Sequence, residues 1–332
     1  MLIATGVADM KICFVVLAHH QPRTFARLIK SIAWENSDIV VHVDRRSDIK
    51  DFAVLDLPNV HFIRNRRKVQ WAGWTQTSAL CEALEYGLQV SKADYFMFLA
   101  GTDLPIKSPL VINQFLEKHY PLNFLNYHPL VPGIWAYNLI NIYRLVDLKG
   151  RFVDIRARAN TRSSLLQNFL GNGVARIEKT LNSFLPPRNT RWIRFYCGSS
   201  RWCLNRATIG HVVDYYRSKN GEALRRFLRF SIDSIEIFFQ TVILNSPHRL
   251  HCLGFDESEA GEIFDGRRPP LPDEKRVYLH YIDWDPARED PAILDESDFE
   301  RLKESGKFFA CKFTDEKSEP LMKRIERELL GQ

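Results

Sequence analysis

Residues 11–44 read KICFVVLAHHQPRTFARLIKSIAWENSDIVVHVD, two continuous apolar runs separated by a segment with helical periodicity. Lys11–His19 and Asp38–Asp44 lack the alternation of a half-buried strand, so both predict strands covered on two faces, and Thr24–Ile32 predicts a short helix between them. Strand, helix and strand in so short a span make a βαβ unit, and the sheet is expected to be parallel. Such sheets bind ligands beyond the carboxyl ends of their strands. That rule places His19, His20, Asp44 and Arg45 at the rim of a crevice.

The alternation continues outward. Asn59–Ile63 predicts a third strand, a basic run of Arg64, Arg66, Arg67 and Lys68 follows, and VQWAGW (69–74) leads into a helix reaching Val90. Tyr95–Ala100 predicts a buried strand. The GTDLPI turn after it (101–106) carries Asp103 to the same rim, because Gly and Pro bracketing an Asp mark a tight loop. Taken singly, Asp44 and Asp103 read equally well as turn formers. A helix over Val111–Lys118 and a strand over Leu122–Tyr127 complete a nucleotide-binding half, 11–130. After Pro132 the pattern is less regular, and residues 131–332 read as the second half of the same domain. There, YCGSSRWCL (196–204) reads as a loop entering a strand and Arg206–Ser218 as a helix. Gly261–Glu274 reads as a Gly/Pro-rich surface loop, Arg276–Ile282 and Phe308–Phe313 as strands, and Ser318–Leu330 as an amphipathic helix.

The 332 residues, 45% hydrophobic and 12% aromatic, suffice for a large core and exclude a disordered chain. Six cysteines form no CxxC and no zinc spacing with histidine, which points to a reducing, cytoplasmic compartment. Ile12–Ala18 is too short for a signal or a membrane span, and Met1–Asp9 is a weakly patterned lead-in. The net charge of +6 is uneven, with 16 Lys and Arg against 4 Asp and Glu from Arg151 to Phe230. A basic middle suits a nucleoside diphosphate or an anionic membrane surface, or is simply solvated. No nucleic-acid motif accompanies it, so no nucleic-acid partner is expected.

FSIDSIEIFFQTVILNSP (230–247) sets a carboxylate beside an otherwise apolar helical face. Ile235, Phe238, Phe239 and Val242 fall at i, i+3, i+4 and i+7, and Glu236 lies one residue round from that stripe. Ser231, Asp233 and Ser234 are candidate N-caps. They would put Glu236 in the first turn, where the helix dipole favours an ionised, solvent-accessible carboxylate suited to a general base. The rival reading is a capping box of Asp233 with Glu236, in which the glutamate only closes the helix start. Spacing alone leaves both open.

No G-x-G-x-x-G follows the first strand, and neither a P-loop nor a G-x-S-x-G is present, which argues against dinucleotide dehydrogenases, P-loop ATPases and nucleophile-elbow hydrolases. One D-x-D occurs, Asp283-Trp284-Asp285, and reads as a solvated loop rather than a metal site. The ordered blocks carry more. VLAHHQP (16–22), VHVDRR (41–46), VQWAGW (69–74), FMFLAGTDLPIKS (96–108), CGSSRWCLNR (197–206), EIFFQTVILNSP (236–247) and FFACKF (308–313) together resemble the core-2/I-branching β-1,6-N-acetylglucosaminyltransferases and the related peptide O-xylosyltransferases. These are inverting GT-A glycosyltransferases, and the resemblance runs from about Lys11 to Lys312.

The resemblance implies a single large α/β domain, GT-A-like, with a Rossmann-type nucleotide-binding sheet and helices on both faces. It implies inverting, metal-independent transfer of N-acetylglucosamine or xylose from a UDP-sugar to a glycan or protein hydroxyl, with no cofactor beyond the donor. Glu236 matches the catalytic base, Lys312 and Arg276 the basic partners of the leaving diphosphate, and Asp44 and Trp71 the uridine contacts. The crevice reading adds Asp103 to the donor site. Trp71 stands where animal members often carry tyrosine. The usual Pro-Asp-Glu run before the base is altered here, which leaves Asp233 as a second candidate. Animal members carry a membrane anchor and disulfides, so this chain looks like a bacterial relative. It would work in the cytoplasm or peripherally at the inner face of the membrane, on a polysaccharide, capsule or lipid-linked glycan. The alternative is a non-catalytic nucleotide-sugar or carbohydrate-binding protein on the same fold. Arg144 and Trp202 are given no role.

Overall fold

The structure is a computed structural model that describes residues 10–53, 57–150, 165–269, 279–285, 287–288 and 291–332. The βαβ start is present as β1 (Ile12–Ala18), α1 (Pro22–Ile32) and β2 (Ser37–Val43), followed by β3 (Val60–Phe62), α2 (Trp74–Val90) and β4 (Tyr95–Ala100). β1 lies parallel between β2 and β4, with Ile12 opposite Ser37 on one side and Tyr95 on the other. Side chains of β1 alternate between two cores. Cys13 and Val15 join Leu80, Phe98 and Phe239 on one face, and Phe14 and Val16 join Phe25, Leu28 and Phe309 on the other. A strand buried on both faces favours apolar residues at successive positions, which is why β1 reads as an unbroken run.

The chain continues through β5 (Leu104–Pro105), α3 (Pro109–Lys118), β6 (His128–Pro129), α4 (Val146–Lys149), α5 (Leu165–Phe184), β7 (Tyr196–Cys197) and β8 (Cys203–Asn205). Then come α6 (Arg206–Arg217), α7 (Lys219–Leu228), α8 (Ile235–Leu244), α9 (Glu257–Phe264), β9 (His280–Ile282), α10 (Phe299–Glu304), β10 (Phe309–Cys311) and α11 (Glu319–Ile325). The main sheet has the order β3-β2-β1-β4-β8, and β5-β10-β9 form a smaller one. This is the mixed α/β architecture with a Rossmann-type parallel β3-β2-β1-β4 core expected from the sequence. Among the described residues no helix is long and apolar enough to cross a membrane.

Several expectations need correction. The fifth strand, β8, runs antiparallel to β4, with Phe96 opposite Leu204. Leu122–Tyr127 is not a strand. Asn123 bonds to His251 and Phe124 to Cys203, so neighbouring residues bridge different partners and no ladder propagates. Gly261 belongs to α9 rather than to a loop: Asp256 caps that helix by accepting from the Glu259 N–H at 3.0 Å, and residues 270–274 lie outside the described residues. α7 was not expected as a separate helix; Ser218 ends α6 and caps α7 through the Gly221 N–H.

Candidate active site

α8 is enclosed on all sides, and every residue of it except Glu236 is buried. The apolar stripe read from the sequence is thus part of a wholly packed helix, and the one side chain with access to solvent is the carboxylate. The helix start does not use a side-chain cap. Ser234 Oγ shares a 2.7 Å hydrogen bond with Thr77 Oγ1, Ser231 Oγ accepts from Arg188, and the Glu236 N–H bonds to the backbone carbonyl of Asp233. The capping-box reading fails on this geometry, because neither carboxylate closes the helix end.

What holds Glu236 is the segment between β7 and β8. The Gly198 N–H donates to the Glu236 carbonyl at 2.9 Å, the Ser199 N–H donates to the Asn126 side-chain oxygen at 3.0 Å, and the Gln240 amide donates to the Ser199 carbonyl at 2.9 Å. A β-carbon on Gly198 would meet the Asn126 carbonyl oxygen at 2.0 Å, so only glycine permits this approach. The Ser200 N–H, one step further, donates to the Glu236 carboxylate.

The electrostatics depart from the expectation of a freely ionised, solvent-accessible base. Burial, and then the neighbouring Asp233 carboxylate, push Glu236 up to about 7, opposed by Arg201 and the Ser200 N–H. Burial raises Asp233 to about 6. Arg201 pairs with Asp103 at 2.8 Å, and its guanidinium lies 5.1 Å from the Phe98 ring centroid. Asp103 is completely buried, accepts from the Ala100 N–H at 2.8 Å and has His280 Nε2 at 3.7 Å. Burial raises the Asp103 pKa and Arg201 opposes it. Burial lowers His280 well below its usual value, so the ring is neutral. Asp103 therefore does not face the crevice; it anchors Arg201 from beneath.

Lys312 follows β10 directly. Its charge and that of Arg201 both act on the Cys311 thiol, and the next residue, Phe313, bonds through its N–H to the Thr102 carbonyl. Arg201 thus sits among Asp103, Glu236 and the Cys311 thiol, and Lys312 is the residue next to that cysteine. The sequence reading quoted Arg201 inside CGSSRWCLNR and gave it no role. The available signal was a lone cation in a loop that runs into a buried strand, where a charge needs a partner. Trp202 packs, with its ring 4.9 Å from Phe239, and Arg144 is paired with Glu178 at 3.0 Å.

Asp44 is buried with both carboxylate oxygens engaged. Arg46 donates to it from its backbone and guanidinium, and the Val69 N–H donates at 2.9 Å. Burial alone would raise its pKa, but these bonds hold it below the usual range. Asp44 fixes the 69–72 loop rather than presenting a free carboxylate, and that loop leaves Trp71 42% exposed at its tip. Ala72 and Asp233 carry positive φ of 60° and 52°, and Gln21, after β1, one of 58°. Such backbone in residues other than glycine is costly and concentrates at functional sites.

Arg276 lies outside the described residues. Asp283 is not in a solvated loop: it is buried and paired with Arg288 at 2.7 Å and Arg301 at 3.3 Å, while Asp285 accepts from the Ala287 N–H.

Residues 12–132 match the family model described as Core-2/I-Branching enzyme. The chain is similar to Xylosyltransferase 2 of Canis lupus familiaris, 24% identical over 97% of this chain and 34% of the relative. It is 29% identical to Xylosyltransferase of Ciona intestinalis over 98% of this chain and 35% of that one. The chain therefore spans about a third of the length of these curated relatives. Among solved structures, 4-diphosphocytidyl-2C-methyl-D-erythritol synthase overlaps 68% of this chain and 91% of its own at a TM-score of 0.30 and 8% identity, too slight a likeness to argue from. The resemblance read from the ordered blocks is borne out.

Proposed function

We propose that this chain of the Core-2/I-Branching enzyme family, a family of glycosyltransferases, transfers a sugar from a UDP-sugar to a hydroxyl of a glycan or protein, with inversion and without a metal ion. The observation that carries the reading is Glu236. It is the one accessible side chain of a packed helix, clamped by the 198–200 segment, with a pKa of about 7. A general base works best when its pKa lies near the working pH. Glu236 takes the acceptor proton as that oxygen attacks the anomeric carbon, and the nucleoside diphosphate leaves from the opposite face through an oxocarbenium-like transition state.

Residues 11–130 would hold the donor, with Trp71 against the uridine, and residues 131–332 would supply Glu236 and the acceptor surface. Charge on the departing diphosphate would be met by Lys312 and Arg276, preorganised cations in place of a metal. The engagement of Asp103 with Arg201, and of Asp283 with Arg288 and Arg301, supports this, since these carboxylates already have cationic partners. All six cysteines are free thiols, which supports a cytoplasmic location, and the basic middle of the chain supports a peripheral contact with anionic membrane.

The test is UDP release by purified protein across UDP-sugars, with and without EDTA. UDP-xylose stands first, because the relatives are named for xylosyl transfer, and UDP-N-acetylglucosamine second. Turnover of one donor that survives EDTA and disappears in Glu236→Gln is expected. Turnover abolished by EDTA would remove the metal-free part. Donor binding without release in the presence of glycan and protein acceptors would instead indicate a nucleotide-sugar-binding protein.

A further inference from the structure

We infer a second binding site, for an anionic sugar unit, at the far end of α8; it rests on the glycosyltransferase reading and gives that reading a class of acceptor. Leu244 is the last residue of α8, eight positions after Glu236, so at 1.5 Å per residue this end lies about 12 Å from the base. A cavity of about 150 Å³ opens there, lined by Arg194, Tyr196, Leu244, Asn245, Arg249, Phe255 and Glu257. None of these residues belongs to the catalytic cluster around Arg201.

The cavity holds more cations than carboxylates; the Asn245 amide donates to the Arg194 and Thr241 carbonyls, both at 2.8 Å, and its oxygen adds a neutral acceptor. Glu257 accepts from Arg249 at 3.0 Å, and Arg249 also donates to the Ser246 carbonyl at 2.9 Å, but its Nε is buried without a partner. Arg194 lies 5.4 Å from the Phe264 ring centroid and pairs with no carboxylate among the described residues. Tyr196 is only 2% exposed, and among the described residues its hydroxyl makes no hydrogen bond. Burial pushes that phenol up to about 12, so it stays a donor. Two guanidinium ions and a phenol set against one carboxylate leave room for a second carboxylate, which guanidinium binds in a planar, charge-assisted way. Leu244 and Phe255 add an apolar wall of the kind that receives the C–H face of a pyranose.

The backbone joins this cavity to the base. Tyr196 begins β7, and Gly198 and Ser200, two and four residues on, hold the Glu236 carbonyl and carboxylate. A glycan laid along this segment would seat a uronate in the cavity while a hydroxyl further along the chain meets Glu236.

The experiment titrates the full chain with methyl β-glucuronide, methyl β-glucoside and inorganic sulfate by calorimetry, and measures UDP-sugar hydrolysis on the same proteins. The glucuronide is expected to saturate and to bind about tenfold tighter than either control. Arg194→Ala and Tyr196→Phe should each weaken it several-fold and leave donor hydrolysis unchanged; Tyr196→Phe keeps the packed ring, so a folding defect is not the explanation. Equal binding of sulfate would reduce the cavity to a general anion trap, and equal binding of the glucoside would remove the role of charge. Either result, a lack of saturable glucuronide binding, or unchanged affinity in both variants overturns the proposal. Glucuronide binding that both variants weaken, in a protein that turns over no donor, would overturn the enzyme reading and keep the site.

Discussion

The Asp233 N–H donates to the Ala72 carbonyl at 2.8 Å, and both residues hold left-handed backbone. This bond ties the loop that carries Trp71 to the turn that starts α8. It also separates the two candidate bases, since Asp233 is fixed through its backbone and raises the pKa of Glu236 through its charge. Asn tolerates left-handed backbone, so Asp233→Asn keeps the turn and removes the charge. Turnover should persist, with the acidic limb of the kcat/KM profile moved to lower pH. A loss of the roughly 10²–10⁴-fold expected for Glu236→Gln would instead make Asp233 the base.

The same two carboxyls make stability fall as pH rises. Asp233 goes from 3.8 to about 6 and Glu236 from 4.5 to about 7 on folding, so the native state keeps protons that the unfolded chain releases. Their contribution is complete below about 3.8 and is lost as pH passes through about 7. Glu236 should account for on the order of 3 kcal/mol of this change. Urea denaturation at pH 5 and pH 7.5 should show a smaller difference for Glu236→Gln than for the unaltered protein; equal differences would mean that Glu236 titrates normally.

Removing one member of the Asp103–Arg201 pair strands the other in the interior. Asp103→Ala should cost about 3–5 kcal/mol, whereas Asp103→Leu with Arg201→Met should recover most of it, because no unpaired charge remains. Denaturant midpoints of the single and double variants check this. Arg201→Met alone carries a second expectation with the opposite sign to Asp233→Asn. Arg201 lowers the Glu236 pKa, so its loss should move the acidic limb of activity to higher pH.

The fold was legible where burial forces composition. β1 and β4 are buried nearly throughout and almost wholly apolar, so their pattern was plain; β2 is buried too, and its polar Asp38 and His42 are tolerated because Lys11 and the Arg67 N–H partner them. It was less legible where a segment answers to two partners, as at Asn123 and Phe124, because local pattern does not say which strand a backbone will join. In the site, Glu236 stood out as a carboxylate in an apolar context, but its elevated pKa comes from burial and from Asp233, opposed by Arg201 and Ser200, and these meet it only in the folded chain. Asp44 and Asp103 were correctly placed at strand ends, while their saturation by Arg46, Val69 and Arg201 could not be read from them. Arg201 itself was invisible as a partner, since nearly a hundred residues separate it from Asp103.

Asp44 and Trp71 can be separated as direct and indirect contributors to donor binding. Trp71 is exposed at the tip of a loop that Asp44 fixes through the Val69 N–H and through Arg46, which also bonds to the Val69 carbonyl. If the indole stacks on the uracil, Trp71→Ala should cost about 1–3 kcal/mol of donor binding, and Trp71→Tyr, which keeps an aromatic face, much less. Asp44→Asn should weaken donor binding by loosening the loop, with kcat for bound donor little changed. Two residues acting through one contact cannot each remove it twice, so the Asp44→Asn and Trp71→Ala losses should be far from additive in a double-mutant cycle read by donor titration. Additive losses would mean that Asp44 touches the nucleotide on its own account.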